Sequence, residues 1–571
     1  MISDLLLGFS LGASSEPIES RQTNAAVQKA DSYLKHWRHL GGIAVSSSLP
    51  DSDKVRPCQS YKIDRFSGYI DRATGAQFAK YQMKKSVMVG VSEIVQASAV
   101  ELSQAIASRQ WSCREVMQAY LLHIDRFNPK VNAIVSMVEP ELLLTQADER
   151  DIQLSKGQHL GWMHGFPQAV KDLTATAGIV TTFGSPAFAD FVPLQDALMV
   201  KRMRSSGAII IGKTNTPEFG LGSQTYNTVF GATANAYDAS LTAGGSSGGA
   251  ACALALRMLP VADGSDMMGS LRNPAAFNNV FGLRPSIGRV PSAPAADVFT
   301  NQLGTAGPMA RTVTDMAMLL SVQAGFDEDV PVSIQQDPAM FTASLHRDFK
   351  GSRVGWLGDF GGHLEMSPGV MTLCDDALEV FTGLGCFVEA VSVAFSMPRL
   401  WNAWLVLRQW QVAAGPVGTL YQTEKGRRAL KPEAVWEVEQ GLRLTAMEVQ
   451  QAMATRSAWY HAVQDLFKSC DYLLLPSAQV FAFDVHTHWP SSINHKPMDT
   501  YHRWMEVVVP GTMSGCPVAN VPVGFNGSRQ AMGMQIIGKA QADLAVLQMA
   551  FAYEQATGWV DRYPPPALCT T

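Results

Sequence analysis

The 571-residue sequence predicts an α/β fold in which helices cover both faces of a sheet. From Phe166 onward, short apolar runs alternate with segments of helical periodicity, as expected when strands are followed by helices. Residues 208–211 are apolar without interruption, which indicates a strand buried on both faces. A hydrophobic content of 47% with 17% charged residues is typical of a globular chain and not of a disordered one.

The first ordered segment is helical. Ser98-Ala-Val-Glu101 and Ser112-Cys-Arg-Glu115 are capping boxes, and each precedes a periodic apolar run that predicts a helix. Asn128-Pro129 should end the second helix, because proline disfavours helical geometry in the residue before it. The predicted elements are helices over 100–108 and 116–127, a strand over 133–135 and a helix over 140–155.

The elements of the predicted sheet follow. A short apolar run ends on Lys171, and a helix over 197–205 precedes the strand at 208–211. Later strands are predicted at 354–357, 472–476, 518–523 and 533–537, and the last helix over 543–555. Residues 401–410 have helical spacing and contain three tryptophans.

Two glycine-rich turns contain the candidate serine nucleophiles. Residues 244–249 read GGSSGG, and residues 264–270 read GSDMMGS. Glycine lets backbone amides approach a ligand closely and adopts positive φ without a steric penalty. A serine becomes a nucleophile only when a base removes its proton. The best candidate base is Lys171, because a lysine in an apolar, water-poor site loses part of its preference for the charged form.

These turns belong to six sequence blocks in a fixed order. The blocks are the segment ending in Lys171-Asp-Leu, GKTNTPEFG, GGSSGG, GSDMMGSLRNP, GLRPS and GPMARTVTD. In this order they resemble the blocks of the amidase signature family of serine hydrolases. The resemblance runs from about residue 91 to the C-terminus and implies a large, mixed, twisted sheet flanked by helices on both faces.

The predicted organisation is therefore an amidase signature domain over 91–571 behind an N-terminal extension over 1–90. The extension has a polar, irregular sequence with one predicted helix over 24–39. No block of the family lies in it, so no function is assigned to it.

Carried over by position, the resemblance assigns the chemistry to three side chains. Ser270 would be the nucleophile and Lys171 the base. Ser246, which follows a cis peptide bond in the family, would pass the proton between them. The oxyanion would be bound by the backbone N–H groups of Met267, Met268, Gly269 and Ser270.

Further positions that the resemblance identifies surround these groups. Ser247, Asp266 and Arg272 would hold the two turns by hydrogen bonds. One interpretation of Trp401, Trp404 and Trp410 is that they line a substrate pocket, since this part of the chain supplies substrate contacts in the family. Their helical spacing also suits packing in the core, which is the commoner role of such a pattern.

Met267 and Met268 are the main departure from the family, which usually has a glycine at the second of these positions. Because an oxyanion is bound by backbone N–H groups, the side chains need not abolish that role. Methionine is flexible and fills irregular space, so we expect the pair to narrow the acyl side of the site.

The resemblance implies an amidase that hydrolyses a small-molecule carboxamide through an acyl-enzyme, without a cofactor or a metal. Two alternatives are the amidase subunit of a tRNA-dependent amidotransferase and a non-catalytic binding protein. Against the first, residues 288–300 lack the Ser-Arg-Tyr-Gly-Leu type of run associated with that subunit. The expected partner is a small-molecule amide, and a homodimer is an open option.

Composition argues against other classes of protein. A net charge of −5 without a basic run gives no reason to expect nucleic acid as a partner. No apolar stretch is long enough to span a membrane. The eight cysteines have no paired spacing, which favours reduced thiols in a cytoplasmic protein.

Two other motif matches are interpreted as coincidences. Residues 207–214 fit the Walker A pattern, but most residues between its glycines are β-branched and themselves form a strand. Residues 244–248 fit the G-x-S-x-G elbow of esterases, with His486, His488 or His502 as conceivable partners. An elbow requires a buried strand before the turn, and the residues before this turn do not form one.

Overall fold

The computed structural model describes residues 92–569. The extension over 1–90, with its predicted helix over 24–39, lies outside the described residues. The helical opening consists of α1 (Ala99–Ala107) and α2 (Cys113–Val131), and both predicted capping boxes are present at their N-termini.

Helix α2 ends later than predicted. It continues through Pro129, and Asn132 ends it in the left-handed conformation. The Asn128 side-chain oxygen accepts hydrogen bonds from the backbone N–H groups of Ala133 and Ile134 at 2.9 and 2.8 Å. The prediction that Asn128-Pro129 stops the helix was wrong, because a proline this close to the end removes only one hydrogen bond of the last turn.

A small sheet carries Lys171. Its strands are β1 (Ile134–Val135), β2 (Pro167–Lys171) and β3 (Ile209–Thr214), in the order β1-β3-β2. Strands β2 and β3 are parallel, and every residue in both is buried. The strand predicted at 208–211 therefore continues further than its apolar run. After it comes the hairpin of β4 (Tyr226–Asn227) and β5 (Gly231–Ala232).

The main sheet has eight strands. They are β6 (Ala262–Asp266), β7 (Phe281–Arg284), β8 (Thr305–Ala310), β9 (Arg353–Trp356), β10 (Phe387–Ala390), β11 (Tyr472–Pro476), and, after a hairpin of β12 (Ser492–Ile493) and β13 (Lys496–Pro497), β14 (Val518–Phe525) and β15 (Ala531–Ile537). The strand order is β10-β9-β11-β15-β14-β7-β8-β6.

This sheet is mixed, as the family resemblance implies. Strand β9 is parallel to β10 and β11, whereas the other neighbours are antiparallel. Successive side chains of a strand point to opposite faces, and all seven residues of β15 are buried. Both faces of the sheet are therefore covered at its centre.

The remaining helices cover the sheet and build a separate helical layer. They are α3 (Pro140–Ser155), α4 (Leu198–Ser205), α5 (Gly248–Ala255), α6 (Arg272–Phe277), α7 (Val313–Gln323), α8 (Val370–Gly383), α9 (Met397–Ala414), α10 (Pro416–Tyr421), α11 (Glu424–Ala429), α12 (Pro432–Gly441), α13 (Ala446–Leu466), α14 (Val509–Ser514), α15 (Asp543–Thr557), α16 (Trp559–Arg562) and α17 (Pro566–Cys569). Helices α6, α7, α8 and α15 pack on the main sheet, and α9 packs between α12 and α13.

The small sheet meets the main sheet at Asp263 of the edge strand β6. The Asp263 carboxylate accepts hydrogen bonds from the Lys171 backbone N–H at 3.1 Å and from the Gln168 side chain at 3.2 Å. Lys171 is thereby placed beside the strand that leads to Ser270. Within residues 92–569, no helix has both the length and the apolar character needed to cross a membrane.

Candidate active site

Lys171 lies at the end of β2 and is completely buried. Its Nζ lies 2.8 Å from Oγ of Ser246 and 2.8 Å from Oγ of Ser247. It also lies 3.1 Å from Oγ of Ser265. Lys171 therefore contacts serines of both glycine-rich turns.

The environment of Lys171 favours its neutral form. Burial lowers the pKa of Lys171 to about 7, although the carboxylates of Asp266 and Asp263 favour the charged form. The three side-chain oxygens around Nζ all belong to uncharged hydroxyl groups. A lysine in this state can accept a proton near neutral pH.

The turn of residues 244–249 brings Ser246 to Lys171. The Gly245–Ser246 peptide bond is cis, as the resemblance implies. Gly244 has a φ of 73°, and a Cβ there would lie 2.5 Å from the Asn273 side-chain oxygen. The same oxygen accepts a hydrogen bond from the Gly245 N–H at 3.2 Å, so glycine is required where the two turns meet.

Ser270 is the last residue of the second turn and is 6% exposed. Its carbonyl oxygen accepts a hydrogen bond from the Ser247 N–H at 3.3 Å, which ties the two turns together. Within residues 92–569, the N–H groups of Met267, Met268 and Ser270 donate to no protein acceptor. These three N–H groups are therefore not used by hydrogen bonds within the described part of the chain.

The Gly269 N–H, which was also predicted to bind the oxyanion, has a partner within the protein. It donates to the Asp266 carboxylate at 2.8 Å. The φ of Gly269 is 79°, and a Cβ there would lie 2.9 Å from Val508. The backbone of Gly269 therefore faces Asp266, and the prediction that its N–H is an oxyanion donor is wrong for this conformation.

Asp266 and Arg272 hold the second turn as predicted. Nε and Nη2 of Arg272 donate to the two carboxylate oxygens of Asp266, each at 2.9 Å. Burial opposes ionisation of Asp266, but Arg272 and Arg284 outweigh it and hold its pKa well below the usual range. Arg272 also donates to Thr512 at 2.8 Å and to Gln535 at 2.6 Å, which anchors the turn to the main sheet.

Ser270 faces a small cavity of about 20 Å³. Its lining residues are Gly220, Gly222, Ser223, Met267, Met268, Ser270, Arg408 and His502. Both methionines thus line the space at Ser270, and their narrowing of the acyl side stays a prediction.

Arg408 lines a wall of the same cavity as Ser270, and it was not identified from the sequence. Its Nε donates to Glu437 at 2.5 Å, and its Nη2 donates to the Tyr501 hydroxyl at 2.7 Å. Its Nη1 donates to the Met267 sulfur at 3.3 Å. Burial alone would make Glu437 a weaker acid, but Arg408 and His502 lower its pKa to about 2. The wall therefore contains a buried ion pair.

His502 belongs to the same wall. Its Nδ1 lies 2.8 Å from the Thr500 hydroxyl, and burial lowers its pKa to about 4 despite the neighbouring Glu437. The other two histidines of the esterase interpretation lie elsewhere: His486 is exposed, and His488 stacks on Tyr226.

The tryptophans of α9 pack behind His502. Trp401 and Trp404 are 2% and 0% exposed, and their rings stack with centroids 5.1 Å apart. Both rings meet the His502 ring edge-on, with centroids 5.5 and 4.8 Å away. Trp410 is half-buried against the same core. These positions support the packing interpretation, with Arg408 and His502 facing the cavity.

No group of three histidine, cysteine, aspartate or glutamate side chains in the described range has a geometry that could hold a metal ion. The cysteines of the described range are free thiols.

Comparisons of this sequence with known proteins agree on one protein family. The family model for amidases matches residues 115–547. An acylamidase from Rhodococcus erythropolis is 33% identical over 479 residues, which cover 82% of this chain and 98% of that protein. One subunit of the glutamyl-tRNA(Gln) amidotransferase from Alkaliphilus metalliredigens is 31% identical over 500 residues, or 83% of this chain and 99% of that one.

Solved structures show the same likeness. A bacterial aryl acylamidase of the amidase signature family has a TM-score of 0.76 and 29% sequence identity, covering 81% of this chain and 98% of that structure. A peptide amidase from Stenotrophomonas maltophilia has a TM-score of 0.69 and 25% identity, covering 82% and 98%.

Proposed function

The chain belongs to the amidase signature family, and on this basis we propose that it hydrolyses the carbon–nitrogen bond of a small-molecule carboxamide through an acyl-enzyme on Ser270. The observation that carries the proposal is the buried contact of 2.8 Å between Lys171 Nζ and Ser246 Oγ. This contact supplies a neutral base to a serine whose turn is joined to that of Ser270.

In the proposed mechanism, Lys171 takes the proton of Ser246 while Ser246 takes that of Ser270. Ser270 Oγ attacks the carbonyl carbon, and the oxyanion accepts hydrogen bonds from the free N–H groups of Met267, Met268 and Ser270. Ser246 then protonates the leaving amine as the carbon–nitrogen bond breaks, and Lys171 returns its proton to Ser246. A water molecule attacks the acyl carbon while its proton passes through Ser246 to Lys171. Return of that proton to Ser270 Oγ as the ester bond breaks releases the carboxylic acid and restores Ser270.

We assign this activity to the domain over 91–571 and no role to residues 1–90. The acylamidase and amidotransferase relatives match this chain over 98–99% of their own length, although they cover only 82–83% of it. We further propose a cytoplasmic location, since unpaired cysteines suit a reducing compartment. The proposal requires no cofactor, nucleic acid or membrane.

Two measurements on the purified full chain test the proposal. A panel of acyl anilides and primary amides should be turned over without added proteins, and a fluorophosphonate should label Ser270. Ser270→Ala should abolish both signals. Turnover only with added amidotransferase subunits and aminoacyl-tRNA would favour the relatives' amidotransferase role, and amide binding without labelling would favour a binding protein.

A further inference from the structure

A second and larger cavity lies on the other side of Met267. We call it the outer chamber; its volume is about 260 Å³, against about 20 Å³ for the cavity at Ser270. Met267 lines both. A space of about 20 Å³ holds roughly one water molecule. An amide with any sizeable substituent therefore reaches Ser270 only if a side chain of this wall moves.

Met267, which is the residue shared by the linings of the two cavities, has a weakly restrained side chain. Its sulfur is a weak acceptor, and its one hydrogen bond comes from Arg408. Methionine also has three rotatable bonds and adapts to irregular space. The two residues before it are fixed more strongly, because Ser265 bonds Lys171 and Asp266 is paired with Arg272.

The Arg408 side chain, in contrast, is held firmly in place. It is 3% exposed, and its guanidinium donates to both Glu437 and Tyr501. A conformational change at this wall would therefore leave Arg408 in place and move the Met267 thioether away from it.

The outer chamber is lined by both apolar and polar side chains. Leu173, Val290, Val298, Ala306 and Val332 are among its residues. Its lining includes Asp297, which is exposed, but no lysine or arginine; the Asp266 carboxylate is buried against Arg272 and Arg284. The apolar side chains can contact an uncharged apolar group, and Asp297 disfavours an anionic one.

We propose that Met267 is a gate that selects substrates by shape. When its thioether leaves Arg408, the two cavities join, and the outer chamber takes an elongated, uncharged, apolar arm of the amide while the scissile carbonyl contacts Ser270. This inference rests on the proposed function and names its substrate class: amides with a slender apolar substituent on the acyl or the amine side.

The test uses three fluorophosphonates. One has a methyl arm, one has a decyl arm, and one has a long arm that ends in a carboxylate. The quantity measured is the ratio of the long-arm to the short-arm rate of Ser270 labelling, because this ratio cancels any change in the shared chemistry. Met267→Ala should raise the ratio by roughly tenfold, and the carboxylate probe should react more slowly than the decyl probe.

Val332→Trp is a second, independent test variant. Val332 is 36% exposed and lines the outer chamber but not the cavity at Ser270. The tryptophan should fill the chamber and lower the ratio by roughly tenfold. Val192→Trp is the matched control, because Val192 is a 42% exposed valine outside the chamber lining, and its ratio should equal that of the wild type.

The outcomes separate the two proposals. If both alkyl probes label the wild type but Val332→Trp leaves the ratio unchanged, the gate is overturned and the hydrolase stands, even should Met267→Ala fail to fold. If neither alkyl probe labels the wild type, the proposed function fails and the gate fails with it.

Discussion

The two walls of the cavity at Ser270 are built in different ways. One wall consists of strand ends and glycine-rich turns; Ser270 lines the cavity there, and the same turns and strand ends hold Ser246 and Lys171 outside its lining. The other comes from α9 and the segment near Tyr501, and its centre is the buried pair of Arg408 with Glu437. The first wall holds the groups that any amide would need, whereas the second fixes Arg408, which donates to the Met267 sulfur between the two cavities. We infer that the first wall performs the chemistry and that the second positions the Met267 side chain.

The largest expected effect is at the first wall. Ser270→Ala and Lys171→Ala should each lower kcat for an acyl anilide by about 10⁴-fold or more, since nucleophile and base act as one unit. For the same reason the double variant should be about as slow as either single one. The exposed Ser469→Ala is a suitable control for expression and folding. A near wild-type rate in Lys171→Ala would contradict the mechanism.

A substitution at the second wall should mainly lower the free energy of unfolding. Glu437→Gln leaves the Arg408 charge buried without its partner, which typically costs about 3–5 kcal/mol. Urea unfolding at neutral pH measures this loss. The control is Glu389→Gln, which breaks the exposed pair with Arg353 and should change little. Equal losses in the two variants would mean that the buried pair does not hold this wall.

A smaller and continuous effect should come from pH. Because Lys171 must be neutral to act and its pKa is about 7, kcat/KM should fall about tenfold per unit below that value and level off above it. Protonation of Lys171 at lower pH removes the base, which gives the sign of the effect. The measurement is kcat/KM for one anilide across about four pH units in a buffer of constant ionic strength.

Lys213 supplies the control for that profile. It is also buried, and burial lowers its pKa to about 8, but its Nζ donates to the Thr174 carbonyl at 2.6 Å and to the Thr176 hydroxyl at 2.7 Å. Lys213→Met should therefore lower activity through the fold and keep the midpoint of the profile. A midpoint that moves in Lys213→Met and not in variants around Lys171 would show that the wrong lysine has been chosen.

The residues of the first wall could be proposed from the sequence because they lie in the blocks that resemble the amidase signature family. A Cβ at position 249 would overlap the Asn215 backbone nitrogen, so only glycine fits, and such constraints appear as fixed blocks. The strand leading to Lys171 was likewise visible as an apolar run. The donation of the Gly269 N–H to Asp266 was not, because a hydrogen-bond direction depends on φ and ψ and not on residue type.

The second wall could not be predicted for a physical reason. Arg408 and Glu437 are joined by tertiary packing of α9 on α12, and no sequence spacing identifies such a pair. The pattern of Trp401 and Trp404 suits either a pocket or a core. Only the position of His502, from a distant segment, shows which of the two the rings contact.

The smallest effect is expected from removing residues 1–87. The start of the described chain is held by its own contacts: the Asp315 carboxylate accepts hydrogen bonds from the N–H groups of Ala99 and Val100 at 3.0 and 2.9 Å, and Arg311 donates to the Gln96 carbonyl at 3.2 Å. All of these residues remain after the deletion. The truncated protein should therefore keep both walls, with the Tm and the kcat/KM of the full chain. Soluble protein with a lower Tm and unchanged kcat/KM would show that the extension stabilises the domain away from the site. A change in kcat/KM at constant Tm would mean that it reaches the cavity, and that the division of labour between the two walls is incomplete.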